Sequence, residues 1–443
     1  MLEHSSDFCP GRNVERQLLA YIDANAERLY SLLQQLIAIE TVNHITHGNE
    51  SACTPLIKNW YQGLGLETEV YFPDDIIHNH AAFLPNRGTD KRPNVAGVYS
   101  GLMGKRRLML AAHTDTMPLG KLSDWRHNPL GGEIVDGKLY GRGSGDNKFG
   151  IATGVFLLEA LRNLGIRLNQ DIVLSAYCDE EYGGGNGSIA SCVKYPCDMY
   201  INLDGGNSSR EVWTCAVGGQ ILACRLEAFE PQDSGSLIID GLNIVKEQVE
   251  AFGQRRRSEL GTHPFYRGTD MERSAMRILQ FRCGEEGSDL SEGDFEFVFY
   301  TVSQKETIDN EILEMSQKLH AMLKDMGINF SGFLAQCRYF DYIKADESDP
   351  AIRLLLDCAG EVEGTPVHAA GSCLSDYFLY FKYGSPCSVS YGLLRDFKLE
   401  GGAHQPDEFI FCRDFVNHTK ALGLFLLRWD QIETSLLPAQ NRR

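Results

Sequence analysis

The apolar positions along this chain follow two periods. From Leu18 they fall at Leu18, Leu19, Ile22, Leu29, Leu32, Leu33 and Leu36, a helical spacing that predicts one or two amphipathic helices. Ser51 to Leu66 predicts another, and Gly150 to Leu164 a further one with Ile151, Val155, Leu158 and Leu161 on one face. Between them run short apolar segments, Pro93 to Tyr99, LMLAAHTDT (Leu108 to Thr116), Asp171 to Tyr177 and Met199 to Leu203, which read as buried strands. Strands alternating with helices predict an α/β domain with a mostly parallel sheet, whose carboxyl edge gathers ligands. Asp74 to Lys91 is polar, punctuated by Pro85 and Gly88, and reads as a loop.

The texture changes near Val217. A strand (Ile221 to Phe229), a helix (Leu237 to Phe252), a loop rich in Arg, Gly and Asp, a strand (Phe295 to Val302) and a helix (Ile308 to Met326) make an α+β unit of about 120 residues. The expected organisation is an α/β domain of residues 1–216 and 341–443 interrupted by an α+β domain of residues 217–340. A last amphipathic helix spans Phe415 to Trp429.

The chemistry collects where the strands stop. The first organising strand ends in His113, Thr114 and Asp115, so that His113 and Asp115, two residues apart, share a face. Asp171 to Tyr177 runs into Asp179, Glu180 and Glu181, and Met199 to Leu203 ends in Asp204. Asp146 closes a glycine-rich stretch in front of a helix, and His404 lies in GGAHQPDE. His113, Asp146, Glu181, Asp204 and His404 are two imidazoles and three carboxylates, the donor mixture suited to a pair of divalent metals, zinc most readily, with cobalt or manganese as substitutes. One carboxylate must then bridge. Glu180 leaves its strand in a different direction from Glu181 and is placed as general base, and Asp115 is placed to accept the His113 N–H.

Length and charge narrow the reading. The chain has 443 residues, 43% of them apolar, and a net charge of −18, which argues against nucleic acid or an anionic membrane surface as partner. No signal-like or membrane-spanning apolar run is present, which predicts a cytoplasmic protein. Thirteen cysteines without a CxxC pair predict buried free thiols. Gly141, Gly143 and Gly145 are followed by an acid, which would repel a phosphate. His44, His47, His78 and His80 read as loop histidines.

Five ordered motifs, AAHTDT (111–116), GRGSGDNKFG (141–150), DEEYGGG (179–185), NLDGG (202–206) and GGAHQPDE (401–408), resemble the di-zinc amidohydrolases and metallopeptidases that include acetylornithine deacetylase, succinyl-diaminopimelate desuccinylase, aminoacylase, carboxypeptidase G and several dipeptidases. The resemblance implies a zinc-exopeptidase-like catalytic domain with an inserted lid that also dimerises. It implies two zinc ions, one on His113 and Asp204, the other on Glu181 and His404, with Asp146 bridging and a cis peptide before Asn147. Glu180 is implied as general acid and base, Asp115 as its neighbour's orienter, and Ser375 and Asp376 as the family's late Ser/Thr-Asp turn. The expected reaction is hydrolysis of the amide of an N-acyl amino acid, with a dipeptidase or aminopeptidase as alternative, favoured by Asp rather than Glu at 204, and a metal-binding pseudoenzyme as a third. Two features depart from the family. Counting back from a Gly241-Leu242-Asn243 turn, the position of the lid histidine holds Asp233, and the expected substrate-binding arginine region reads Phe297 to Thr301, with His263, Arg267 or Arg282 as candidate replacements.

Overall fold

The structure, a computed structural model, describes residues 10–230, 234–284, 290–429 and 431; Asp233 lies outside them. The chain divides into two compact units, one of residues 1–214, 345–370 and 379–443, the other of 215–344 and 371–378.

The first unit is built on strands β1 (Glu67–Tyr71), β2 (Asn94–Tyr99), β3 (Arg107–His113), β4 (Asp171–Tyr177), β5 (Met199–Asn202) and β6 (Ser388–Ser390), in the order β1-β2-β4-β3-β5-β6. β3 lies parallel to β4 and β5, and β5 parallel to β6, while β1 and β2 are antiparallel at one edge. Alternate residues part to the two faces. Leu108, Leu110, Ile172, Leu174, Met199 and Ile201 enter the larger core. Its other side is formed by helices α1 (Pro10–Ala24), α2 (Ala26–Ile37), α3 (Phe149–Asn163), α4 (Pro350–Glu363) and α5 (Cys412–Trp429). Met109, Ala111, Val173, Tyr177 and Tyr200 face the opposite way, against Cys192, Cys197 and Tyr380. Burial on both faces is why these strands read as unbroken apolar runs rather than as alternation.

The N-terminal periodicity resolves into two helices, α1 and α2. The segment expected as loop between Asp74 and Lys91 contains a short helix, Pro73–Ile77, and a 3₁₀ turn, Pro85–Arg87, each opened by a proline whose fixed φ suits a first helical position. Arg87 in that turn is buried.

The second unit pairs Met276–Cys283, Glu292–Thr301, Gly218–Ala228 and Ile328–Phe330 into an antiparallel sheet, under helices Gly235–Leu260 and Lys305–Asp325. Phe295, Phe297 and Phe299 pack with Leu226, Leu242, Phe252 and Leu319. Two expectations fail here. Met276–Cys283 is a strand and not loop; it lies at the sheet edge, where Arg277, Leu279 and Phe281 stay exposed and the apolar signal is diluted. Gly241-Leu242-Asn243 is the interior of a helix and not a turn. A Cβ on Gly241 would stand 2.7 Å from Ile328, so this glycine lets helix and strand approach closely.

No helix among the described residues is long and apolar enough to cross a membrane. The described cysteines are free and most are buried.

His418 of α5 is fully buried against Phe149 and Tyr391, its Nε2–H donating to Tyr391 O at 2.9 Å. Burial pushes its pKa down to about 4. The folded state therefore holds the neutral ring, while the unfolded chain takes up a proton below the ordinary value of about 6.5. This contribution to stability is present above pH 6.5 and is lost as pH falls toward 4, on the order of 3 kcal/mol in total. In His418→Gln, calorimetric melts across that window are expected to show a shallower fall in Tm with acidification than the wild-type chain.

Candidate metal centre

Three ends of parallel strands deliver most of the centre, and a turn and a loop deliver the rest. β3 ends at His113 and Asp115 follows two residues on; β4 runs into Asp179, Glu180 and Glu181; β5 into Asp204. Asp146 lies in the turn Ser144–Lys148 that opens α3, with a cis peptide to Asn147, and His404 occupies a loop before the short strand Phe409–Phe411 with φ of 64°.

Five side chains far apart in sequence converge. His113 Nε2 lies 2.9 Å from Asp146 Oδ1, and His404 Nε2 lies 3.0 Å from both Asp146 Oδ2 and Glu181 Oε2. The donor atoms of His113, Asp146 and Asp204 lie within 4.8 Å of one another, as do those of Asp146, Glu181 and His404. Asp146 belongs to both triads and turns one oxygen toward each. A carboxylate oxygen of Glu180 lies within 4.8 Å of one of Asp204. Asn147, with its amide N donating to Leu203 O and its O accepting from Asp204 N at 3.2 Å each, ties the Asp146 loop to the end of β5.

The donor set suits divalent cations. His113 Nδ1–H donates to the backbone carbonyl of Asp115 at 2.8 Å, which leaves Nε2 facing the Asp146 carboxylate, where a proton or a metal cation can sit. Glu181 Oε1 is buried and has no hydrogen-bond partner among the described residues, and Glu181 as a whole is 3% exposed. The charges respond to this crowding. Burial, with Asp146 close by, pushes the Glu181 carboxyl above its usual range. Burial also disfavours the charged imidazoles, yet the surrounding carboxylates outweigh it and raise His113 well above its ordinary value and His404 to about 11. Asp146 is held below the usual carboxylate range by the two imidazoles, against the effect of burial.

Asp115 has a different partner from the one expected. Its carboxylate stands 3.7 Å from His113 Nδ1, and the imidazole N–H goes to its backbone oxygen instead. The carboxylate accepts from the backbone N–H of Glu180 and of Glu181, each at 3.0 Å, and from Asn43 Nδ2 at 2.8 Å. One residue thus orients His113 through its main chain and the Glu180–Glu181 turn through its side chain.

Residues that sequence reasoning passed over brace this arrangement. Asp179, buried at a φ of 66°, pairs with Arg87 at 2.8 Å and Arg92 at 3.1 Å; Arg87 also donates to Glu181 O at 2.7 Å, and Arg92 Nε to Glu50 at 2.8 Å. Glu408 accepts from the N–H groups of Gly145 at 3.0 Å and Asp146 at 3.2 Å and from Arg142 at 2.7 Å, while Arg142 donates to His404 O at 3.2 Å. Glu408 and Arg142 sat in quoted motifs; Arg87, Arg92 and Glu50 stood in polar stretches with no signal of burial.

Other candidates have separate partners. His263 Nε2 meets Tyr342 OH at 3.1 Å, Arg282 pairs with Asp294, and Arg267 is exposed. In the strand Glu292–Thr301, Phe297 and Phe299 are core, and Tyr300 OH accepts from Arg277 at 3.0 Å. Ser375 and Asp376 fall in the second unit. His44 and His47 stack at 4.9 Å, and the metal-capable groups found among the described residues include none of the four loop histidines.

Comparison with known proteins agrees with this geometry. A succinyl-diaminopimelate desuccinylase of Rhodopseudomonas palustris is 38% identical over 120 residues, covering 26% of this chain and 31% of that protein. An N-formyl-4-amino-5-aminomethyl-2-methylpyrimidine deformylase of Halalkalibacterium halodurans is 27% identical over 197 residues, 43% of this chain and 42% of that one. The chain thus matches less than half the length of either relative. Among solved structures, the dipeptidase Dug1p of Saccharomyces cerevisiae superposes with a TM-score of 0.69 at 15% identity over 94% of this chain and 99% of that one. An M20 family metallo-carboxypeptidase of Sulfolobus solfataricus gives 0.67 at 16% identity over 92% and 100%. These likenesses show the fold. The sequence profile of Peptidase family M20/M25/M40 matches residues 109–428, a span that holds every residue of the centre, and the chain belongs to that family of hydrolases.

Proposed function

We propose that this chain hydrolyses the amide bond of an N-acyl amino acid, using two divalent metal ions. The observation that carries the reading is Asp146, shared between two donor triads with one oxygen toward His113 and the other toward His404. The partial matches to a desuccinylase and a deformylase, both named for removing an acyl group, favour acyl substrates over free dipeptides. Asp204 in place of the longer Glu keeps a dipeptidase as the second reading.

In this reading His113 and Asp204 would hold one ion, Glu181 and His404 the other, with Asp146 serving both; the mixture of imidazole and carboxylate donors suits zinc, with cobalt or manganese as substitutes. Such a pair, when bound, polarises a carbonyl and lowers the pKa of water toward about 7. The chain's own part in proton transfer falls to Glu180. Its carboxylate takes a proton from the attacking water as the C–O bond forms, and gives it to the departing nitrogen as the C–N bond breaks, leaving a carboxylate and an amine. Asp115 holds the start of the Glu180–Glu181 turn by accepting the backbone N–H of Glu180.

Three outcomes are expected. Glu180→Gln should lower kcat by roughly 10²- to 10⁴-fold on the best substrate of a panel of N-acetyl and N-succinyl amino acids and free dipeptides, with bound metal unchanged by elemental analysis. Turnover of dipeptides alone would move the reading to a peptidase, and bound metal with no turnover on any substrate would leave only a binding role. Chelation should lower Tm and metal return restore it, by an amount equivalent to about 2.7 kcal/mol at a free metal concentration a hundredfold above Kd. Glu408→Ala unties Gly145, Asp146 and Arg142 together, and metal titration should show an affinity roughly 10- to 100-fold weaker.

A further inference from the structure

The first unit carries a groove of about 550 Å³ lined by none of the residues of the metal centre. Its floor is a small antiparallel sheet in which Phe409 opposes Tyr140 and Phe411 opposes Lys138. Alternation along each strand puts these four side chains on one face. Arg395 arches over that floor, its guanidinium carbon 4.1 Å from the Phe409 ring centroid and 5.3 Å from that of Phe411, and Lys138 Nζ lies 4.6 Å from the Phe409 centroid. Two positive charges therefore share one ring.

Neither cation has an ion-pair partner among the described residues. Arg395 donates only to the backbone carbonyls of Gly401 at 3.4 Å and Glu400 at 3.3 Å, which leaves Nη1 without an acceptor among the described residues. Asp414 acts on Arg395 from a distance, but no carboxylate oxygen among the described residues comes within 4.0 Å of Arg395 or Lys138. The acids in the groove wall are committed elsewhere, since Asp407 and Glu400 both pair with Arg126. This is unexpected in a chain with 60 acidic and 42 basic residues, where a carboxylate is the commoner neighbour. Burial pulls the Arg395 pKa below its ordinary value, a sign that its desolvation is not repaid by a local anion.

We propose that this groove binds a small organic anion, one carboxylate or phosphate group on a planar apolar body. The body lies against Phe411 and Leu399, the two exposed apolar side chains of the groove wall, since His127 covers Tyr140 and the two cations cover Phe409. The anionic group lies between Arg395 and Lys138, relieving their mutual repulsion and filling the donor capacity that Arg395 has left over. The volume falls within the roughly 300–1,000 Å³ of small-molecule sites and exceeds what a bare phosphate needs. Glu400, Gly401 and Asp407 in its wall belong to the loop that carries His404, so the groove borders the metal centre through the chain while sharing no donor with it. The proposal is independent of the reaction assigned above.

The test is isothermal titration of the metal-loaded full chain with phenyl phosphate and with benzoate, alongside phenol and inorganic phosphate. If the groove is the site, phenyl phosphate, benzoate or both bind to a class of sites that Lys138→Gln/Arg395→Gln weakens at least tenfold, with phenol and inorganic phosphate each bound at least tenfold more weakly than the joined molecule. Which aromatic anion binds more tightly tells carboxylate from phosphate. Binding to the metals themselves is recognised because the double variant leaves it unchanged. Identical titrations of wild type and double variant, or no uptake of either aromatic anion, overturn the proposal. Should Arg395→Gln lower stability, Lys138→Gln alone decides the matter: its ammonium touches only a ring, and a threefold or greater loss supports the site while an unchanged Kd overturns it.

Discussion

Gathering three carboxylates at one buried point is the constraint on which the first unit is built. Asp146, Glu181 and Asp204 are all at most 6% exposed, and like charges so placed repel strongly in a medium less polar than water. The site tolerates them because Asp146 turns one oxygen toward each imidazole and because the set as a whole is shaped to take positive charge. Several other buried polar side chains of the unit hold the segments that carry these donors.

That bracing is itself ionic and buried. Arg92 lies between Glu50 and Asp179, Arg87 joins Asp179 to the Glu181 carbonyl, and Asp115 receives the amides of Glu180 and Glu181. Buried pairs of this kind contribute modestly to net stability, since desolvation offsets most of their attraction, but removing one partner leaves a stranded charge at a cost of roughly 3–5 kcal/mol. Their effect is to specify geometry. Asp179 keeps a left-handed backbone that a non-glycine residue adopts only under constraint, and its two arginines supply that constraint. On the other side Glu408 and Arg142 do the same for the Asp146 turn and the His404 loop.

Much of this was legible in the chain itself. The apolar runs before His113, Glu180 and Asp204 gave the strands, because a strand buried on both faces must be apolar at nearly every position. Candidate donors could be named because the residue types suited to metals are few, and three of the five follow the ends of apolar strands. What was misread was of another kind. Met276–Cys283 escaped notice because an edge strand keeps one side in water, and Gly241 was taken for a turn because a glycine that admits a neighbouring strand looks the same in sequence as one that bends the backbone.

By itself, then, the sequence determined most of the elements of the first unit, the candidate donors and the family, since these depend on residue type and local spacing. Only the tertiary structure decided the pairings: that the Asp115 backbone and not its carboxylate receives the His113 N–H, that Arg87 and Arg92 are buried under the Glu180 turn, and that Lys138 and Arg395 both lie against the Phe409 ring. The physical reason is that a hydrogen bond or an ion pair is settled by the last few ångströms of approach. Residues such as Arg92 and Glu50, or Arg142 and Glu408, acquire that proximity only when distant segments have closed around a common core.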